Sequence, residues 1–338
     1  MDDTVRLSLA EAHALALDTL IAHGFSGDQG RAVADTVIAA ERDECRSHGL
    51  FRIPFYVNAL KNPDVNPRAV PQISDLAPGV LHADAHFGFA PLALQRSADP
   101  LAEKARANGI AALAINNACH IAALWPELER LADKGLVAFA FTSSLSYVAP
   151  AGGTRALYGT NPMGFAWPRR GRPPMVFDQA SSVTARGEIQ IHLRDGKTIP
   201  EGWAIDPDGK PTTDPQSALA GAQLPFGGHK GAAIALMVEL LAGALIGDRF
   251  GFETTARDNG TGAPLGGEFL MAIDPARCVR GGNAAASLDH AEALFAKILE
   301  QDGTRLPSDR RFAARARTPT EGIRIPKSLH DTITGLRA

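Results

Sequence analysis

The chain has 338 residues, 45% of them hydrophobic and 21% charged, and 34 Lys and Arg against 37 Asp and Glu leave a net charge of −3. That length suits one large α/β domain or two smaller ones, and so even a balance argues against a general binder of nucleic acid or membrane surface. Cys45, Cys119 and Cys278, with no CxxC pair, exclude a disulfide framework and fit a reduced, cytoplasmic protein.

Ser8-Leu9-Ala10-Glu11 has capping-box spacing and opens an Ala- and Leu-rich helix that stops at Gly24. Ser26 and Gln29 repeat the signal, so residues 8–43 read as a helical hairpin, amphipathic rather than a signal peptide. Ile110–Ile115 and Leu136–Phe141 look like buried strands flanking a helix at Leu124–Ala132, with Pro126 in its first turn. This strand–helix–strand rhythm implies some parallel sheet. A strand is expected at Met175–Asp178, a long helix from Lys230 to Ile246 buried on nearly all sides, a late strand at Gly266–Asp274 and a helix at His290–Glu300. No apolar run is long enough to predict a transmembrane helix. The basic tail from Arg305 should wrap back over the body.

No G-x-G-x-x-G follows a strand and no Walker loop is present, so a nucleotide would bind in some other way. Pro225-Phe226-Gly227-Gly228-His229-Lys230-Gly231 stands directly before the long helix. It reads either as a phosphate cradle, with free N–H groups and Lys230, or as a glycine-rich helix start with Lys230 in solvent. Arg305-Leu306-Pro307-Ser308-Asp309-Arg310-Arg311 is a second basic candidate for phosphate, though taken alone it reads better as a solvated charge cluster. His82, Asp84 and His86 have no matching partner cluster, so no metal site is expected. Cys119 beside His120 reads as a buried, inert thiol next to a polar His. Ser47-His48-Gly49-Leu50-Phe51-Arg52 combines a side chain that titrates near neutrality with a planar carboxylate fork, or else is a capping Ser with a surface His. Gly159-Thr160-Asn161-Pro162 is a turn.

Together these segments resemble the malate/L-lactate dehydrogenase type-2 family. The resemblance rests on Ser47-His48-Gly49, Asn117–His120, Pro150-Ala151-Gly152-Gly153, Gly159-Thr160-Asn161-Pro162, Phe177-Asp178 with Ala180 and Ser182, and Gly227–Gly231, in fixed order along nearly the whole chain. Within it the chain looks most like the Δ1-piperideine-2-carboxylate/Δ1-pyrroline-2-carboxylate reductases, through Ser47–Pro54, Ala122-Ala123-Leu124-Trp125-Pro126, Pro225–Gly231 and Arg305–Arg311. The resemblance implies an α/β fold with a non-Rossmann, NADP-binding mixed sheet and a helical domain built from the N- and C-terminal segments. The expected division is 1–65 with 285–338 as a helical, dimerising and cofactor-clamping region, and 66–284 as the α/β cofactor and substrate domain.

The implied activity is NADPH-dependent reduction of the two cyclic ketimines to L-pipecolate and L-proline by a cytoplasmic homodimer, with the Ala-rich helices at 8–43 as a packing face. The alternative is a reductase or dehydrogenase of an open-chain 2-oxo/2-hydroxy acid of malate, lactate or diketogulonate type. His48 would be the proton donor, oriented by Ser47 and Glu188. Arg52 and Thr160 would hold the substrate, and His120 would face it. Asp178, Gln179 and Ala180 would line the cofactor site; His229, Lys230 and Arg305, Leu306, Pro307, Ser308, Asp309, Arg310 and Arg311 would reach its phosphates and ribose. Glu188 departs from the pattern, where Asp stands, and so does Arg186, where His is expected. The longer Glu would reach His48 in a different rotamer, with Arg186 holding it through a fork contact.

Overall fold

The computed structural model describes residues 3–337. After β1 (Thr4–Leu7), the capping box forms as expected: Glu11 N–H donates to Ser8 Oγ at 3.2 Å and Ser8 N–H to Glu11 Oε2 at 2.8 Å, starting α1 (Leu9–Ala22). Gly24, at φ +86°, closes it, and Ser26 caps α2 (Gly27–Arg42). Two 3₁₀ turns, Arg46–His48 and Leu50–Arg52, lead into α3 (Ile53–Ala59). Next come β2 (Gln72–Ala77), β3 (Val80–Asp84), α4 (Ala90–Asn108), β4 (Ile110–Cys119), α5 (Trp125–Ala132), β5 (Val137–Thr142), β6 (Met163–Trp167) and β7 (Met175–Gln179). A small subregion holds α6 (Arg186–Arg194), β8 (Ala204–Ile205), β9 (Pro211–Thr212), α7 (Pro215–Ala220) and β10 (Ala222–Gln223). The chain then forms α8 (His229–Ala242), α9 (Gly251–Arg257), β11 (Leu265–Ile273), α10 (Pro275–Cys278), α11 (Ala284–Leu299), α12 (Asp309–Glu321), β12 (Ile323–Pro326) and α13 (Lys327–Gly335).

The main sheet has seven strands in the order β2-β3-β4-β11-β5-β6-β7. Only β3 and β4 pair in parallel; every other neighbour is antiparallel. Both strands of the expected strand–helix–strand unit are present, but they are not neighbours. β11 lies between β4 and β5, antiparallel to both. No local signal announces this insertion, because β11 arrives more than 100 residues later and is apolar on both faces. Alternate residues feed two cores. Leu270 and Ala272 pack with α4 and α5, while Phe269 and Met271 pack under α8 with Phe141 and Val238.

Two expectations about helix faces are corrected. The 229–246 stretch, with a mean hydropathy of 1.5 over 18 residues, is apolar enough by composition to cross a membrane. It is not buried on all sides, and it breaks at Gly243 into a 3₁₀ turn, Ala244–Ile246. Small residues (Gly231, Ala235, Ala242) face inward, so Leu236, Leu240, Leu245 and the nearby Phe252 stay exposed. By contrast the α1–α2 hairpin uses its apolar face internally, and Ile21 is its one large hydrophobic residue left exposed among the described residues. The C-terminal segment does return over the body. β12 pairs with β1, Ile333 of α13 enters the core of the hairpin, and Arg315 of α12 bonds Asp43 and Glu129.

Candidate active site

Burial fixes the loop after α2. Glu41, inside the protein, accepts the Leu50 N–H at 2.8 Å, and burial pushes its carboxyl up to about 7. A Cβ at Gly49 would stand 2.2 Å from Glu41 Oε1, so the Ser-His-Gly turn needs its glycine for this close approach. Arg52 Nε donates to the Ser47 carbonyl at 2.7 Å, and its guanidinium lies 5.1 Å from the Phe55 ring centre. Among the described residues no carboxylate forms an ion pair with Arg52, whose Nη groups are therefore available to an anion. Ser47 Oγ is 3.1 Å from His48 Nδ1. Burial, reinforced by Arg52 and His120, pushes His48 down to about 3, so its imidazole is neutral at pH 7. Either Ser47 Oγ–H donates to Nδ1 and the ring proton sits on Nε2, or Nδ1–H donates to Ser47 Oγ.

The first turn of α6 abuts this clamp, because a Cβ at Gly187 would lie 4.0 Å from Arg52 Nη2. Glu188 nevertheless turns outward. Its side chain is 47% exposed, with Oε1 3.8 Å from His192 Nδ1 one helical turn on. Arg186 does not hold it: the guanidinium stacks 4.0 Å over Tyr147 and donates to the Leu219 carbonyl at 3.0 Å. In this chain the expected contacts of Glu188 with His48 and Arg186 are absent. Thr160 N–H donates to Ser144 Oγ at 3.1 Å, and its carbonyl receives the Ser181 N–H at 2.7 Å. The turn is clasped by Asn161, at φ +37°, which donates to Glu239 of α8 at 2.9 Å.

Four segments meet around the end of β7. Asp178 accepts the Leu124 N–H at 2.7 Å, with burial pushing its carboxyl up. Gln179 is exposed and Ala180 half-buried. Beyond them Phe226 N–H donates to the Ser181 carbonyl and Val183 N–H to Leu224, which joins β7 to the start of α8. There Gly227 and Gly228, at φ +56° and +63°, make the turn. The N–H groups of Lys230 and Gly231 close on Gly227 and Phe226, so they are not free for a phosphate as expected, and the exposed side chains of His229 and Lys230 remain. Ser308 donates to the Val176 carbonyl of β7, as does Arg311 at 3.0 Å, with Arg311 stacked over Trp125. Leu306 is buried and its N–H donates to Asp309, while Arg305, Pro307 and Arg310 are exposed. None of Lys230, Arg305 and Arg310 takes part in an ion pair among the described residues. Uncommitted cations around a β-strand end suit a polyanionic nicotinamide dinucleotide.

Trp125 acts as a staple, its Nε1–H donating to the buried Asp43 at 3.3 Å. His82, Asp84 and His86 form a loop clasp through Asn116 and Asn117. Cys119 is buried, and burial pushes its thiol up, away from reactivity.

Sequence reasoning named His120 but missed the two acids beside it. His120 Nε2 lies 3.8 Å from Glu268 Oε2 and 4.0 Å from Glu127 Oε1, all of them buried. The available signal was one acid inside the otherwise apolar strand Leu265–Ile273.

The profile of the malate/L-lactate dehydrogenase family matches residues 7–334. A Δ1-pyrroline-2-carboxylate/Δ1-piperideine-2-carboxylate reductase of Pseudomonas aeruginosa is 51% identical over 333 residues, 98% of this chain and 99% of its own. A Δ1-pyrroline-2-carboxylate reductase of Pseudomonas fluorescens is 50% identical over 337 residues, 99% of this chain and all (100%) of its own. The crystal structure of Δ1-piperideine-2-carboxylate reductase from Pseudomonas syringae pvar. tomato matches with a TM-score of 0.90 at 39% identity, covering 98% of this chain and 99% of that one. These matches run through every element that builds the site, and the chain belongs to the malate/L-lactate dehydrogenase family.

Proposed function

We propose that the protein reduces Δ1-pyrroline-2-carboxylate and Δ1-piperideine-2-carboxylate with NADPH, giving L-proline and L-pipecolate. The observation that carries this reading is Arg52, a half-buried guanidinium with no acidic partner among the described residues, beside a neutral His48 in contact with Ser47. Such a cation calls for a small carboxylate next to the reacting carbon. The names of the relatives supply the imine.

Arg52 takes the substrate carboxylate as a planar fork. That charge offsets Arg52, so His48, whose proton affinity is lowered first by burial and then by Arg52, regains the part that Arg52 removes when substrate is bound. His48 Nε2 then delivers its proton at the ring nitrogen, with Thr160 and His120 closing on the ring. Bound NADPH supplies the hydride to the C=N carbon. Asp178, Gln179, Ala180 and the stretch Leu306–Asp309 with Arg311 line the cofactor site, and His229, Lys230, Arg305 and Arg310 hold its phosphates, favouring NADPH over NADH. Reduced cysteines fit a cytoplasmic enzyme. The exposed apolar face of Leu236, Leu240, Leu245 and Phe252 is the contact of a homodimer. Light scattering should give twice the mass of one chain, and a monomer mass would refute the dimer.

The deciding experiment follows NADPH and NADH oxidation in parallel with the two cyclic imines, pyruvate and oxaloacetate. The highest kcat/KM is expected for an imine with NADPH. Faster turnover of either open-chain acid would overturn the substrate assignment, and equal kcat/KM with NADH would remove the basic residues from the phosphate role.

A further inference from the structure

Glu127, in the first turn of α5, and Glu268, in the middle of β11, meet under His120. One ligand-type atom from each of the three lies within 4.8 Å of the others. Glu127 Oε1, both carboxyl oxygens of Glu268 and His120 Nε2 lack hydrogen-bond partners unless a proton is placed among them. Neither carboxyl has an ion pair with Lys or Arg among the described residues. The titratable groups that face the pair are His120 after β4, Asp178 on β7 and Tyr56 on α3, with His48 beyond His120. Two ionised carboxylates so placed would repel strongly, and a single shared proton relieves both the repulsion and the missing donors.

We propose that Glu127 and Glu268 form one buried acid that holds a proton at neutral pH and supplies it, through His120, to the nitrogen of the bound imine. This deepens the functional reading above and rests on it. The chemistry gives such an acid a purpose. A ketone becomes an alcohol with one hydride and one proton, whereas a neutral imine becomes a secondary ammonium with one hydride and two protons. The hydride forms the new C–H bond as the C=N π pair moves to nitrogen. His48 gives one N–H bond. The second forms as a ring N–H of His120 breaks, Nε2 takes the proton of the pair and the pair is left with one more negative charge, to be reprotonated from solvent. No reductant beyond the nicotinamide is needed.

The titration order agrees with that role. Burial holds His48 near 3 and His120 near 4, so neither stores a proton at pH 7 in the free enzyme. Burial pushes Glu268 up to about 8, and burial together with Glu268 pushes Glu127 up as well.

Glu127 and Glu268 act through His120 and are positioning residues, so the test needs more than a loss of rate. Infrared difference spectroscopy of ligand-free enzyme, wild type minus the Glu127→Gln/Glu268→Gln double variant, should show a protonated carboxyl band at pH 7 that titrates at about 8. With Δ1-pyrroline-2-carboxylate, Glu268→Gln should lower kcat by about 10²-fold, the scale of a lost acid, and leave KM within about twofold. The fall in kcat above about pH 8 should disappear, and Glu268→Asp should restore part of the rate. Absence of the carboxyl band, an unchanged kcat profile, or one equivalent of a divalent metal in the purified enzyme would each overturn the proposal. If wild-type enzyme reduces neither imine, the functional reading fails, while the difference spectrum still decides whether the pair holds a proton.

Discussion

Arg52 and the Glu127–Glu268 pair are both withdrawn from water without an opposite charge among the described residues, and they are stabilised in different ways. Burial lowers the proton affinity of Arg52, yet a guanidinium keeps its charge at any physiological pH. The Ser47 carbonyl and the faces of Phe51 and Phe55 support that charge without neutralising it. The carboxyl pair has a cheaper way out, because one bound proton removes most of its excess charge. The difference assigns two kinds of sensitivity. The clamp responds to an anionic ligand, and the pair responds to pH. His48 and His120 stand between them and are neutral in the free enzyme, so each side of the site reaches the substrate through a histidine.

The largest effect is expected where the clamp meets the chemistry. His48→Ala should lower kcat by about 10²–10⁴-fold while NADPH binding, followed by fluorescence titration, stays within about twofold. The pH dependence has a definite sign. Because burial and Arg52 hold His48 near 3 in the free enzyme, the wild-type kcat/KM profile should show no inflection near the ordinary histidine value from this residue. Substrate carboxylate on Arg52 raises the proton affinity of His48, so the fall in rate as His48 loses its proton with rising pH should appear in kcat, at higher pH than in kcat/KM. A loss smaller than tenfold in the variant would break the comparison, leaving Ser47 and His48 as a turn and the carboxyl pair as the main proton source.

The two regions were unequally legible in the sequence. The hairpin at 8–43 follows from Ser8, Glu11, Gly24 and Ser26, all local signals that the structure realises. The clamp follows from Ser47-His48-Gly49 and Arg52 because its residues are neighbours in sequence. What could not be read was long-range. Glu41 acts on Gly49 from the preceding helix, and Glu268 reaches His120 because β11 inserts beside β4, a pairing with no local trace. Faces were misjudged for a related reason. An all-apolar helix gives no period from which to choose its buried side, so the exposure of Leu236 and Leu240 depends on which residues are small enough to approach the sheet. Between a phosphate cradle and a glycine-rich helix start, packing favours the second for one glycine, since a Cβ at Gly231 would lie 2.5 Å from the Phe226 carbonyl.

The smallest effect is expected at Glu188, and it sharpens the contrast between clamp and pair. An acid that polarises His48 would have to sit against its ring, where Ser47 Oγ already lies 3.1 Å from Nδ1. Glu188 instead points along α6 toward His192, nearly half exposed, and water screens what charge it presents. Its neighbour Arg186 is occupied by Tyr147 and the Leu219 carbonyl, so nothing draws the carboxylate inward. Glu188→Gln should therefore change kcat by less than about threefold and leave the kcat profile in place, in line with the small worth of exposed charge pairs. Glu188→Asp should behave alike, because shortening a solvated side chain removes no contact with the site. A tenfold loss in the Gln variant, with the fall of kcat at rising pH moved to lower pH, would show that Glu188 swings onto His48 when substrate binds. The site would then carry a carboxylate on each histidine, and the asymmetry between a ligand-sensitive clamp and a pH-sensitive pair would have to be given up.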